Sequence, residues 1–194
     1  MPRLFKTSLE SIPAGSPYIF ADEALVEDWK NRLTEPTGLM VGISWQGSTT
    51  YFGDQFRSIP LQQFGVIARI PDVNLISLQK GDGLEQLETL EDPFDVLDFG
   101  DTLDRQAGPF MDSAALMLNL DLVITSDTAI AHVAGALGVP VWLALRVTPD
   151  WRWLLDREDS PWYPTMRLFR QTELGDWDSV FQRMATAVRR LTSP

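Results

Sequence analysis

The stretch "ITSDTAIAHVAGALGVPVW" (124–142) holds the chain's one histidine, His132, a turn into an apolar helix that Asp127 and Thr128 introduce. A carboxylate, a hydroxyl and an imidazole at a strand-to-helix junction have two uses. They can cap the helix and fill a polar patch, with Asp127 as N-cap and His132 as a satisfied, partly buried side chain. Alternatively, the exposed amides of the first turn, at the positive end of the helix dipole, can hold an anion such as the phosphates of a nucleotide-linked substrate. Spacing alone leaves both readings open. Ile130, Val133, Ala134 and Leu137 form an i, i+3, i+4, i+7 stripe for the core, which places Thr128, His132 and Gly135 on the opposite face.

A site of this kind needs a scaffold, and the chain reads as one. Short apolar runs at 39–45, 73–79, 95–99, 121–125, 140–145 and 166–169 are expected as strands. Helical patterns near 60–69, 83–90, 112–119, 128–137, 151–156 and 177–191 separate or follow them. Strands alternating with helices imply parallel pairing through crossovers, and runs apolar on both faces suit a sheet covered on both sides. The expected fold is α/β, a doubly wound, mostly parallel, Rossmann-like sheet over 38–194. Residues 1–37 form a lead-in with one amphipathic helix (22–33) and a linker, "TEPTG" (34–38). In such a sheet ligands bind beyond the carboxyl ends of the strands, which is where "DLVIT" delivers Asp127 and Thr128.

Composition bounds the chemistry. The 194 residues carry a net charge of −11, which argues against a nucleic-acid or anionic-membrane binder. There are no cysteines, so disulfides, thiol nucleophiles and cysteine-ligated zinc are excluded, and one histidine excludes a histidine-rich metal site. A cytoplasmic setting fits. The uncharged run 128–145 is interrupted by Gly138 and Pro140 and reads as buried helix, turn and strand rather than a membrane span. "DWD" (176–178) imitates a metal-binding Asp-x-Asp but falls where the last helix begins, where capping explains it. "GDG" (81–83) lacks the spacing of a dinucleotide fingerprint.

"DLVITSDTAIAHVAGALGVPVW" (121–142) resembles the donor-site motif of family 9 glycosyltransferases, the heptosyltransferase group of GT-B fold. It is closer still to the C-terminal domain of bacterial tetratricopeptide-repeat glycosyltransferases. "VGISWQGS…RSIPL" (41–61), "LISLQKG" (75–81) and "PDWRWLLDREDSPWYPTMRLFRQ" (149–171) carry the same resemblance in the same order, from about Leu39 to Leu191. The resemblance implies the C-terminal, nucleotide-sugar-binding half of a GT-B enzyme, inverting, needing neither metal nor cofactor, and completed by an acceptor-binding domain or partner chain. It departs from the family at Ser48, Thr49, Tyr51 and Gly53, where Asn-Pro-x-His-x-Asn-Asp is common, and at Arg146, where a proline is expected. The sugar, the base and the acceptor stay unassigned.

Under that resemblance, Arg57 is the cation for the donor diphosphate, because a guanidinium grips two phosphate oxygens at once. Asp127, Thr128, Ala129 and His132 form the opposing wall. Further donor-binding candidates are Ser44, Gly47, Asp54, Gln79, Lys80, Asp112 and Ser113. Lys80 reads equally as a solvated turn lysine, and Asp112 and Ser113 equally as caps. No catalytic base is assigned, and Trp151, Trp153, Trp162 and Tyr163 default to packing against the sheet, with lining of the cleft toward a second half as the alternative. Two other readings remain: a nucleotide-sugar-binding module without catalysis, and a nucleotide-sugar epimerase.

Overall fold

The computed structural model describes residues 2–33 and 37–192; residues 34–36 of the expected linker lie outside the described residues. In chain order the main elements are α1 (Pro2–Phe5), α2 (Glu23–Arg32), β1 (Leu39–Ser44), α3 (Asp54–Arg57), α4 (Gly65–Ala68), β2 (Val73–Ser77), α5 (Met111–Met117), β3 (Leu122–Thr125), α6 (Ala129–Leu137), β4 (Val141–Leu145), β5 (Met166–Arg170) and α7 (Trp177–Leu191). The strands form one sheet in the order β2-β1-β3-β4-β5, every pair parallel. This is the doubly wound α/β fold expected of the sequence.

Period-two alternation sorts each strand between two cores. Met40, Val123, Val141, Leu143 and Leu145 face one side, where α2, α5 and α6 pack. Val41, Ile43, Leu122, Ile124, Trp142 and Ala144 face the other, against α4 and α7. Helix α7 meets that second core with Trp177, Val180, Phe181, Met184, Ala185 and Val188, an i, i+3, i+4 stripe repeated along the helix. Asp176 of the "DWD" run caps it, accepting from Ser179 N at 3.0 Å. Helix α2 joins the first core through Trp29, fully buried, whose indole N–H donates to Asp112 Oδ1 at 2.9 Å.

Three expected elements shrink. The 83–90 helix is one 3-10 turn, Leu84–Leu87. The 95–99 strand is a single parallel bridge, Leu97 to Ile76, on the outer side of β2. It stops there because Asp98 Oδ2 accepts from Gly100 N, at 3.1 Å, and Gly100 turns the chain at φ 54°. The 151–156 helix is one 3-10 turn, Trp151–Trp153, ended by Leu154 at φ 54°. That positive φ, with ψ at −164°, is far from helical geometry, and a helix cannot continue through it. Among the described residues no helix is long and apolar enough to cross a membrane.

The sheet reverses winding between β1 and β3. From β1 the chain moves outward to β2, then returns to lay β3 on the other side of β1. Ser44 and Thr125, the last residues of those two strands, pair in register. The loops that follow them diverge and leave a crevice at the carboxyl edge, the usual ligand position in an open sheet.

Candidate functional site

The crevice holds a cleft with two lobes of about 500 and 610 Å³, which meet at Arg57, Thr128 and Ala129. One lobe runs along α6 and the end of β4, the other along the loops after β1 and β2. The sequence candidates fall into both, and the structure treats them differently.

On the α6 side the polar groups face the cleft with capacity left over. Thr128 is the N-cap residue, with extended φ and ψ (−134°, 177°), yet its side chain does not cap the helix. Its hydroxyl lies 3.4 Å from that of Thr125 instead. Asp127 does not cap either. The amides of Ala129 and Ile130 therefore have no partner among the described residues. Arg57 arrives from the other side of the crevice and donates through Nη1 to the Asp127 carbonyl at 2.7 Å. Its Nε donates to Asp54 Oδ1 at 3.1 Å, and its guanidinium stacks over the Tyr51 ring, 4.6 Å from the centroid. Both N–H groups of Nη2 have no partner among the described residues. Gly47 makes this possible: a Cβ there would overlap Nη2 of Arg57 and the Asp54 carboxylate.

The electrostatics are locally reversed for so acidic a chain. Arg57, Arg146 and Arg152 line the α6 lobe, against Asp127 and Asp150. Arg152 is paired with Asp150 (Nη1 to Oδ1, 2.7 Å), whereas Arg146 makes no hydrogen bond or ion pair with the described residues. Burial pushes the Asp127 carboxyl above its ordinary value, against the favourable influence of the Trp153 indole, His132 and Arg57. No hydrogen bond closes between that indole and the carboxylate, so Trp153 Nε1 is buried and unpaired. Burial pushes the His132 imidazole down, against the pull of Asp127.

On the β1–β2 side the polar groups are already engaged. Gln79 is buried, and its Oε1 accepts from Ser44 Oγ, Trp45 N and Gln46 N at 3.0–3.1 Å. Its Nε2 donates to the carbonyls of Gln46 (2.9 Å) and Asp82 (2.8 Å). One side chain thus ties the ends of β1 and β2 together. Ser113 donates through N and Oγ to the two carboxylate oxygens of Asp104. Lys80 donates to the Leu103 carbonyl at 2.7 Å and pairs with Asp104 at 3.6 Å. Asp54 is held by Arg57 and by Ser58 Oγ. Asp112, bonded to Trp29 inside the first core, does not line the cleft. It is a helix–helix tie.

The expectation for α6 itself needs one addition. The face bearing His132 and Gly135 does point away from the core stripe, but it is covered by Trp153 and Tyr163, two aromatics whose default expectation is packing against the sheet. His132 stacks on Trp153 (centroids 5.3 Å apart, 24° between planes) and bonds Tyr163 Oη through Nδ1 at 2.9 Å. The only hint in the sequence was the crowding of aromatics in 151–163. Arg146, directly after the end of β4, and Tyr51, within the loop after β1, also reach the cleft.

No protein-family model matches the chain. It is similar to Protein FlbA of Caulobacter vibrioides, 29% identical over 197 residues that cover 97% of this chain and 31% of FlbA. Among solved structures it is similar to E. coli ADP-heptose LPS heptosyltransferase II, with a TM-score of 0.65, 14% identity, and coverage of 94% of this chain and 56% of that one. A glycosyl transferase family 9 structure from Veillonella parvula gives a TM-score of 0.61 at 14% identity, covering 93% and 48%. E. coli heptosyltransferase WaaC with ADP gives 0.50 at 14% identity, covering 94% and 52%. The chain spans about half the length of these solved chains and less than a third of FlbA. The likeness is one of fold: Rossmann-like and of the family 9, GT-B type that the sequence motifs resemble.

Proposed function

We propose that the chain is the donor-binding half of a glycosyltransferase, and that its carboxyl-edge cleft takes a nucleotide-diphosphate sugar. The observation that carries this reading is the convergence of Arg57 on the mouth of α6. A guanidinium with free N–H groups and two unpartnered helix amides face one space, which suits two linked phosphates better than any neutral ligand. The ADP named in the WaaC structure is of the same chemical class.

In glycosyl transfer the bond from the anomeric carbon to the phosphate oxygen breaks as an acceptor oxygen attacks, and negative charge grows on the departing diphosphate. Fixed donors aimed at that charge lower the barrier. Arg57 and the Ala129 and Ile130 amides supply them here, in place of a metal ion. His132 adds a polar contact in the α6 lobe, and Arg146 adds charge. Inversion at the anomeric carbon belongs to the family resemblance. The acceptor and its base would come from an acceptor-binding half, in the same polypeptide or a partner, because transfer needs both substrates held at near-attack geometry. A cytoplasmic setting fits the cysteine-free composition.

Calorimetric titration with ADP in the presence of EDTA tests the reading. Binding should persist without a divalent ion, and Arg57→Ala should weaken it by roughly 1.5–3 kcal/mol, as expected for a charge-assisted contact. Equal affinity of variant and parent would overturn the assignment, and loss of binding in EDTA would overturn metal independence. A donor-consumption assay then separates an enzyme half from a binding module. Turnover on adding an acceptor-binding half supports the first, and donor binding without turnover under every such addition supports the second.

A further inference from the structure

His132 is held by more than its place on α6. Its Nδ1 lies 2.9 Å from Tyr163 Oη, its ring stacks on Trp153, and the Tyr163 ring meets it edge-on at 5.8 Å. Tyr163 lies across α6 directly over Gly135, where a Cβ would come within 2.5 Å of the phenol ring's Cγ. No other residue type at 135 leaves the phenol this position. The second ring nitrogen of His132, Nε2, makes no hydrogen bond with the described residues, and the ring lines the α6 lobe of the cleft. The charged groups around it are Asp127, Asp150 and Arg152.

Which ring nitrogen carries the proton follows from the bond that the other makes. Tyr18, pinned beside α6 by the hydrogen bond its backbone N–H donates to the Ala136 carbonyl (2.9 Å), donates its hydroxyl to Tyr163 Oη across 3.5 Å. Tyr163 then has one proton of its own to give and one imidazole nitrogen in reach. A phenolic oxygen shares its lone pair with the ring and accepts weakly, whereas an unprotonated imidazole nitrogen accepts strongly. Burial, with the Tyr18 hydroxyl next, pushes the Tyr163 ionisation far above its ordinary value, so the phenol keeps its proton to donate. Burial holds the imidazole neutral at pH 7, with a single ring proton.

We propose that Tyr163 is a positioning residue that fixes neutral His132 as the Nε2–H tautomer, so that the ring offers the cleft an N–H donor for an anionic oxygen. In the opposite tautomer a lone pair would face the cleft and repel a phosphate. For the ligand alone, this proposal rests on the diphosphate reading above. The tautomer itself does not.

Because His132 is the only histidine, the test needs no resonance assignment. The full chain, labelled with 15N-histidine, is examined by long-range proton–nitrogen correlation at about pH 8, where the imidazole is neutral. The parent should show a protonated Nε2 and an unprotonated Nδ1. Tyr163→Phe, which removes only the hydroxyl, should yield a mixture of tautomers and weaken ADP binding roughly three- to tenfold, the worth of one hydrogen bond. Thermal melting of the variant confirms that the fold is intact. A parent with the proton on Nδ1, or a Tyr163→Phe spectrum identical to the parent's, would overturn the proposal. Should ADP fail to bind the parent at all, the diphosphate reading falls, while the ligand-free spectra still decide the tautomer.

Discussion

The β1–β2 wall of the cleft is as rich in polar side chains as the α6 wall, and both stand at the carboxyl edge of one sheet. On the β1–β2 wall the fold itself uses them. Gln79 makes five hydrogen bonds to protein, Ser113 makes two to Asp104, and Lys80 is anchored to a carbonyl and a carboxylate. On the α6 wall the helix starts uncapped, and among the described residues Arg57 Nη2 and Arg146 have no hydrogen-bond or ion-pair partner. A buried polar group without a partner costs stability, so groups left open around a cleft mark where a ligand completes them. Under the proposed function, the first wall is scaffold and the second is where binding energy is available.

If that contrast is right, substitutions on the two walls should separate stability from binding. The largest effect belongs to Gln79→Ala, which leaves three donors and two carbonyls between β1 and β2 without their partner. Urea denaturation should show a loss of roughly 2–4 kcal/mol, reduced from a simple sum because water can enter the space. ADP affinity of the folded fraction should barely change. A collapse in affinity with unchanged stability would place Gln79 in the binding wall and erase the contrast.

Asp127→Asn sharpens the comparison from the other side. A carboxyl raised in the folded state holds its proton more tightly there than in the unfolded chain. Its contribution therefore favours folding at pH below the ordinary value near 3.8 and is lost as pH rises through the folded-state value. At neutral pH the buried charge is a cost. The asparagine variant should be more stable than the parent at pH 7, with the advantage shrinking as pH falls through that window, as thermal melts over pH 4–7 would record. With one negative charge fewer in the α6 lobe, ADP should bind about threefold more tightly. A variant that is less stable at pH 7 and binds ADP no better would contradict this account of the carboxylate.

The smallest effect is expected from Lys80→Ala. Its ammonium is half exposed, and Asp104 keeps its two bonds from Ser113 without it. Stability should fall by about 0.5–1 kcal/mol, and ADP affinity should change by less than roughly twofold. A tenfold loss of affinity would move Lys80 to the ligand side.

What the sequence made legible follows the range of each interaction. The strands at 39–44, 122–125 and 141–145 announce themselves because both faces are buried, so nearly every residue is apolar. The junction at Asp127–Thr128 is legible because strand, turn and helix signals are contiguous there. Partners distant in sequence are not. Nothing near Asp112 says that it receives Trp29 Nε1 from 83 residues away, nor does anything near His132 point to Tyr163, 31 residues on. The 95–99 run fails as a strand because one Asp-Phe-Gly turn (98–100) stops its ladder, a local event that apolar alternation does not encode. Resemblance singled out Gln79 and Asp112 by position. Only their hydrogen bonds show how the fold engages them.

The central claim, that the open amides of α6 rather than the engaged groups of the β1–β2 wall receive the anion, is tested most directly by amide NMR. Inorganic pyrophosphate is the probe, since it carries the two phosphates and no base or sugar to reach the β1–β2 wall. Titrated into the 15N-labelled chain, it should move the Ala129 and Ile130 amides and the Arg57 Nε–H most, with small changes at Ser44, Gln79 and Ser113. Largest shifts on the β1–β2 wall, with Ala129 and Ile130 unmoved at saturation, would contradict the account.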